Sequence, residues 1–300
     1  MIQAVLCLTS SQAVVLQVDF KLRHDRFCKC LDKMRTRTNH ELLMALILPF
    51  SSPAREAGPH LADLRAEIGR LERGRGAGIP AVLPLGSALD AHLPVRGLAL
   101  KRLHEVAAAS EWDAGAALGF LLALVERVMR AETGPVLWCA RRPELHAPSL
   151  ASFGIDPERL ILVNARTETD RLWAFEEGLK TPGLAAAVAE LEKPLDLAGS
   201  RRLQLAAEKG TTGFALRLDG GEAAASAVET RWRIAGAPSL PPADDRLGIG
   251  DPRWRVTLER CRGGRPGHWL MERNDATGDL ALAPALRDRP DLPAGARVAG

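Results

Sequence analysis

Between Pro84 and Leu218 the sequence alternates short apolar segments with amphipathic ones, and this alternation constrains the fold more than any other feature. The apolar segments have the length of buried strands, and the others space their apolar residues as helices do. Strands are predicted at Arg102–Val106, Pro135–Ala140, Leu160–Ala165, Ala185–Glu190 and Gly213–Leu218, and helices at Ala114–Arg130, Ser149–Phe153, Glu168–Leu179 and Leu197–Glu208. Apolar strands that alternate with helices indicate an α/β protein with a parallel sheet covered on both faces.

Beyond Gly221 the helical periodicity disappears. Val228–Ile234 and Arg253–Glu259 alternate apolar with charged residues, the pattern of half-buried strands. The turn-rich segment Arg262–Gly267 precedes His268–Arg273, which can return as the second strand of a hairpin. We therefore expect an antiparallel β region at 223–285, followed by a tail at 286–300.

The first fifty residues differ in composition from the rest of the chain. They hold three of the five cysteines and only three alanines, whereas residues 51–100 hold nine alanines. Two interpretations stay open: a separate arm, or an upstream extension with Met44 as the biological start. Residues 51–80 are predicted to contain an amphipathic helix, His60–Arg73, and a glycine-rich linker. Residues 81–222 would then form the α/β core.

Several classes of protein and site are disfavoured by the sequence. The longest apolar run, Leu42–Phe50, is too short to span a bilayer, and five irregularly spaced cysteines do not suit a disulfide framework. We expect a cytoplasmic chain without membrane contacts. His24, Cys28, Cys30 and His40 suggest zinc, but Cys-x-Cys is tighter than the usual spacing of structural sites, so no metal is predicted. Cys139 and Trp138 are predicted to be core residues.

The overall charge of +3 lies entirely in residues 1–50, so the remaining 250 residues sum to zero. Within them, residues 253–273 carry six arginines against two glutamates, with tryptophans interleaved. Arginine with aromatic residues suits stacking on single-stranded bases, but the same residue types mark protein interfaces. The candidate contact residues are Arg231, Trp232, Arg233, Arg253, Trp254, Arg255, Arg260, Arg262, Arg265 and Trp269. A solvated arginine-rich hairpin with its tryptophans in the core is the alternative.

Segments of the chain resemble the RecA recombinase at 97–106, 145–163 and 186–190. The sequence resembles the ImuA family more closely, in the phrases LRAEIGRLE, LPLG, LHEV, GPVLWC, SRRLQLAAE, TRWRI and RWRVTLERCRGGRPG. This resemblance covers residues 51 to 285 and implies a RecA-like fold of the P-loop NTPase type. It also implies a role in DNA-damage-induced (SOS) translesion synthesis, with an ImuB-like protein and a DnaE-type error-prone polymerase as partners. RecA and single-stranded DNA are further expected partners.

The nucleotide site that such a fold would carry is degenerate in this sequence. A P-loop needs glycines around the phosphates, a lysine that reaches them and a hydroxyl for magnesium. No lysine lies between Lys101 and Lys180, and two acids, Glu111 and Asp113, stand in the loop. The positions concerned are Ala108, Ser110, Glu111, Asp113, Gly115 and Glu190. Glu190 either keeps the magnesium-side carboxylate or only closes a buried strand.

Two functions are therefore compared. The first is a noncatalytic scaffold that positions polymerase partners and uses no cofactor. The second is a divergent ATPase that binds nucleotide at a subunit interface, with residues supplied by a neighbouring copy, and acts on single-stranded DNA. The missing lysine favours the first.

Overall fold

The computed structural model describes residues 14–16, 81–142, 145–241 and 250–283. In this part of the chain the strands are β1 (Val14–Leu16), β2 (Val82–Leu83), β3 (Leu98–Ala99), β4 (Leu103–Ala108), β5 (Val136–Ala140), β6 (Leu160–Asn164), β7 (Ala186–Leu191), β8 (Thr212–Arg217), β9 (Thr230–Ala237), β10 (Arg253–Cys261), β11 (Gly267–Arg273) and β12 (Leu280–Leu282). The α-helices are α1 (Ser87–Asp90), α2 (Ala114–Ala131), α3 (Ala147–Ser152), α4 (Glu168–Lys180) and α5 (Leu197–Lys209). One-turn 3-10 helices form at Glu111–Asp113 and Pro157–Arg159.

Ten of these strands form one mixed sheet in the order β1-β6-β5-β7-β8-β4-β9-β10-β11-β12. Neighbours from β1 to β9 are parallel, and neighbours from β9 to β12 are antiparallel. The α/β class, the parallel core and the antiparallel extension predicted from the sequence are thereby confirmed. Each core strand and helix lies within two residues of its predicted bounds.

Helices cover both faces of the parallel part of the sheet. α2 packs with one hydrophobic cluster that includes Trp138, Val188 and Trp232, while α4 and α5 pack with a second cluster around Leu137 and Phe175. The strands alternate between the clusters, as Leu137 and Trp138 do, because successive side chains point to opposite faces. Trp138 and Cys139 are fully buried, as predicted.

The antiparallel extension is joined to the core through aromatic contacts beneath α2. Trp254 on β10 lies 5.9 Å from Phe120, ring centre to ring centre, in an edge-to-face arrangement. A Cβ at Gly119 would lie 3.3 Å from the indole of Trp254, so the glycine leaves space for the ring. The extension is therefore part of the same core and not a free arm.

The structure adds elements that the sequence did not predict. β1, from the first fifty residues, lies beside β6 as a parallel edge strand, and β12 extends the other edge of the sheet. The helix predicted at His60–Arg73, the tail at 286–300, and His24, Cys28, Cys30 and His40 lie outside the described residues. Among the helices of the described ranges, none is long and apolar enough to cross a membrane.

Candidate functional site

The connection from β4 to α2 holds most of the residues that the sequence marked as a degenerate phosphate loop, and side chains of this connection form hydrogen bonds within it and to β9. The Ser110 hydroxyl donates to Asp113 Oδ2 at 2.6 Å, and the Gly236 N–H donates to Asp113 Oδ1 at 2.8 Å. These two bonds hold the pKa of the Asp113 carboxyl below its ordinary value. The Ala109 N–H donates to Ile234 O at 2.8 Å. The loop is therefore hydrogen-bonded to β9 through the Ala109 backbone and through the Asp113 side chain.

A second connection covers this loop from the side of β8. Gly220 has a φ of 67°, in the left-handed region that glycine adopts without strain. A Cβ at Gly220 would lie 2.5 Å from Ser110 Cα and 2.7 Å from the Glu111 nitrogen. A phosphate loop works by turning its N–H groups toward the ligand. The backbone at Gly220 instead lies against the loop at Ser110 and Glu111.

The predicted nucleotide-site residues differ in their burial and in their contacts. Ala108 is buried at the end of β4, while Ser110 and Asp113 bond to each other and Glu111 is exposed. Gly115 lies in the first turn of α2 with open space around it, since a Cβ there would meet nothing within 4 Å.

Neither Trp112 nor Gly220 was singled out from the sequence. Trp112 is 88% exposed, and only its unusual exposure in the fold draws attention to it.

Glu190 lies at the carboxyl end of β7 and lines a crevice of about 560 Å³. Its Oε1 accepts a hydrogen bond from the buried indole of Trp138 at 2.7 Å. Apolar walls and two exposed arginines, Arg141 and Arg142, complete the crevice. In open α/β sheets ligands bind beyond the carboxyl ends of the strands. Here the Glu190 carboxylate bonds to a core tryptophan, a contact that is compatible with both roles that the sequence left open.

The candidate contact residues of the extension divide by burial. Arg255, Arg260 and Arg265 are exposed, and Arg233, Arg262 and Trp269 are half-buried. Four others are buried: Arg231, Trp232, Arg253 and Trp254. Of the hairpin's two tryptophans, Trp254 lies in the core, as the alternative interpretation expects, whereas Trp269 is half-buried; the four buried side chains are not available at the surface.

The burial of Arg231 has a specific electrostatic cause. Its Nε donates to Glu105 Oε2 at 2.9 Å, and a second guanidinium, Arg217, lies 3.8 Å from the other oxygen of Glu105. Arg231 also donates to Ser226 Oγ at 2.7 Å. The segment that contains Ser226 covers this face of the sheet, so the charged residue on the outward side of β9 is enclosed. Arg253 is buried similarly, paired with Glu272 across the strands.

The hairpin tip is anchored to the segment that follows α1. The ring of His92 lies 4.9 Å from that of Trp269, edge to face. Its Nδ1 is 3.0 Å from Pro266 O, and the Arg265 guanidinium donates to Ala91 O at 3.3 Å. The Arg265 side chain therefore helps to hold the hairpin tip against this segment. Arg255 and Arg260 are the other exposed arginines among the candidate contact residues.

Comparison with known proteins gives one clear similarity. The chain is 48% identical over 208 residues to the curated Protein ImuA of Caulobacter vibrioides strain NA1000, an alignment that covers 65% of this chain and 84% of that protein. Protein ImuA of strain ATCC 19089 of the same species matches with the same identity and coverage. No family model matches the sequence.

Proposed function

Since this chain belongs to the ImuA family, we infer that it takes part in inducible mutagenesis, and we propose that it does so as a noncatalytic RecA-like scaffold. In this proposal it binds an ImuB-like protein and a DnaE-type error-prone polymerase and holds them together during lesion bypass. RecA and single-stranded DNA are further candidate partners.

One observation carries the noncatalytic part of the proposal: the position of the phosphate loop is closed by the protein itself. The backbone at Gly220 covers Ser110 and Glu111, and the Ser110 hydroxyl is already bonded to Asp113 within the loop. A triphosphate placed there would also face Glu111 and Asp113, and like charges at about 4 Å repel by about 4 kcal/mol at an effective dielectric of about 20. Nucleotide chemistry at this loop is therefore strongly disfavoured.

The RecA-like part of the proposal is supported by the order of elements around that loop. A central parallel strand, β4, leads through the loop into α2, and the sheet continues into an antiparallel extension. Arg260 is exposed on this extension and makes the surface locally basic together with Arg255. Exposed arginine suits both acidic protein surfaces and phosphates.

Co-purification of the tagged full chain with a co-expressed ImuB-like protein and a co-expressed DnaE-type polymerase tests the scaffold. Both partners should be recovered together, and Arg260→Glu should lower their recovery about tenfold, the effect of a moderate interface contact. Arg201→Glu is the control, because Arg201 is equally exposed but lies on α5, away from the extension. Recovery of neither partner, at low or moderate salt, would contradict the proposal.

The salt response of the same variant separates protein from DNA contacts. Loss of a steep decrease of affinity with salt would indicate phosphate contacts to single-stranded DNA. A shallow salt response with lost protein binding would indicate a protein interface.

A further inference from the structure

Trp112 projects into water from a hydrogen-bonded turn, which is unusual for the largest apolar side chain. It lies in the 3-10 turn Glu111–Asp113 and is 88% exposed. The turn is fixed by the Ser110–Asp113 bond and by the Gly236 N–H, and the backbone at Gly220 packs against it. A tryptophan on a fixed backbone loses little further freedom when it is buried by a partner, and such residues dominate binding energies.

A groove with complementary chemistry begins beside this turn. Ala237, which follows the residue bonded to Asp113, is one of the lining residues of a largely apolar groove of about 540 Å³. The rest of its lining is Pro238, Arg255, Val256, Thr257, His268, Trp269 and Leu270. This volume falls in the range of ligand-binding clefts and is ample for one indole ring. Because Trp112 is 88% exposed, it does not fill the groove of its own chain.

The charges of the two features are also complementary. Trp112 is flanked by Glu111, which is exposed, whereas the exposed Arg255 and His268 lie along the groove. The projecting side chain is thus apolar with an acidic neighbour, and the recess is apolar with basic ones. A projecting side chain and a recess that can receive it, both present on one chain, allow the self-complementary contact of a two-fold dimer.

We propose that two copies of this chain associate through this surface, with Trp112 of each copy in the groove of the other and Glu111 of each beside Arg255 of the other. This contact is independent of which partners the chain recruits. Burying a tryptophan covers up to about 250 Å². Two such insertions, counted on both surfaces, cover at most about 1,000 Å², which is below the usual size of a stable interface. The dimer is therefore a weak one, formed at micromolar concentration or above.

Sedimentation equilibrium of the full chain over a wide concentration range tests the dimer. The wild type should show a reversible monomer–dimer equilibrium. Trp112→Ala should raise the dissociation constant about a hundredfold, since it removes two contacts and a good hot spot contributes about tenfold or more. Leu197→Ala is the control, because Leu197 is also exposed but lies on α5. It should leave the equilibrium unchanged.

Charge reversal tests the pairing of the two surfaces. Glu111→Arg and Arg255→Glu should each weaken the dimer, and the double variant should regain most of the lost affinity. A strict monomer at every concentration would overturn the proposal, as would a dimer that Trp112→Ala leaves intact. If the chain is monomeric and Trp112→Ala instead weakens recovery of the ImuB-like protein, the surface binds that protein and the dimer proposal is wrong.

Discussion

Replacing Glu105 by glutamine should destabilise the protein by about 3–5 kcal/mol, the cost of breaking a buried ion pair. Glu105 and Arg217 are each 1% exposed, and Glu105 lies 2.9 Å from Arg231 and 3.8 Å from Arg217. At an effective dielectric of about 20, charges at those distances attract by roughly 4–6 kcal/mol each. Arg217 keeps a second carboxylate, Asp219, but Arg231 would keep only neutral acceptors among the described residues.

Urea unfolding followed by far-ultraviolet circular dichroism measures this loss, provided that the denaturant slope is the same in both proteins. Glu259→Gln is the matched control, because Glu259 also pairs with an arginine across two strands. That pair is partly exposed, with side-chain exposures of 22% for Arg233 and 28% for Glu259. Exposed pairs contribute about 1 kcal/mol or less. The control should therefore change stability far less than Glu105→Gln.

The reasoning is refuted if Glu105→Gln lowers the free energy of unfolding by no more than Glu259→Gln does. Such a result would mean that water or a local rearrangement compensates the two guanidiniums, and that the segment over Arg231 does not enclose them. A loss of several kcal/mol in both variants would equally contradict the distinction between buried and exposed pairs.

Three further outcomes are expected. Burial lowers the pKa of His104 from 6.5 to about 4. As the pH falls, His104 is therefore protonated in the unfolded chain at a higher pH than in the folded chain. The free energy of unfolding should fall by up to about 3 kcal/mol between those pH values, and His104→Gln should flatten this dependence in urea titrations. Burial raises the pKa of the Cys139 thiol, so iodoacetamide should label its peptide only after denaturation. Gly220→Ala should cost about 1–3 kcal/mol because of its positive φ and the contact with Ser110, whereas Gly115→Ala, in open space, should be neutral or stabilising by about 0.5–1 kcal/mol in the same melts.

The sequence predicted the parallel core well because local pattern and burial agree there. β4, β5 and β7 are buried along almost their whole length, so their apolar runs stand out from the amphipathic helices between them. The short elements were missed. β2, β3 and β12 have two or three residues each, too few for any periodicity.

The burial of the arginines could not be predicted, for a different reason. The alternation along β9 predicts Trp232 on the core face of the strand and Arg231 on the solvent face. In the structure the segment that contains Ser226 covers Arg231. Its partner Glu105 is 126 residues away in the sequence. The exposed Trp112 illustrates the opposite case, in which a large aromatic side chain lies in water because a short turn projects it.

The central claim, that this ImuA-family chain works without nucleotide chemistry, is tested most directly by melting the full chain with and without millimolar Mg-ATP. A ligand present at about 100 times its dissociation constant stabilises the folded state by about 2.7 kcal/mol. The account predicts an unchanged melting temperature and no ATP turnover above background, with or without partners and single-stranded DNA. A clear rise in melting temperature, or turnover that Glu190→Ala abolishes, would contradict it.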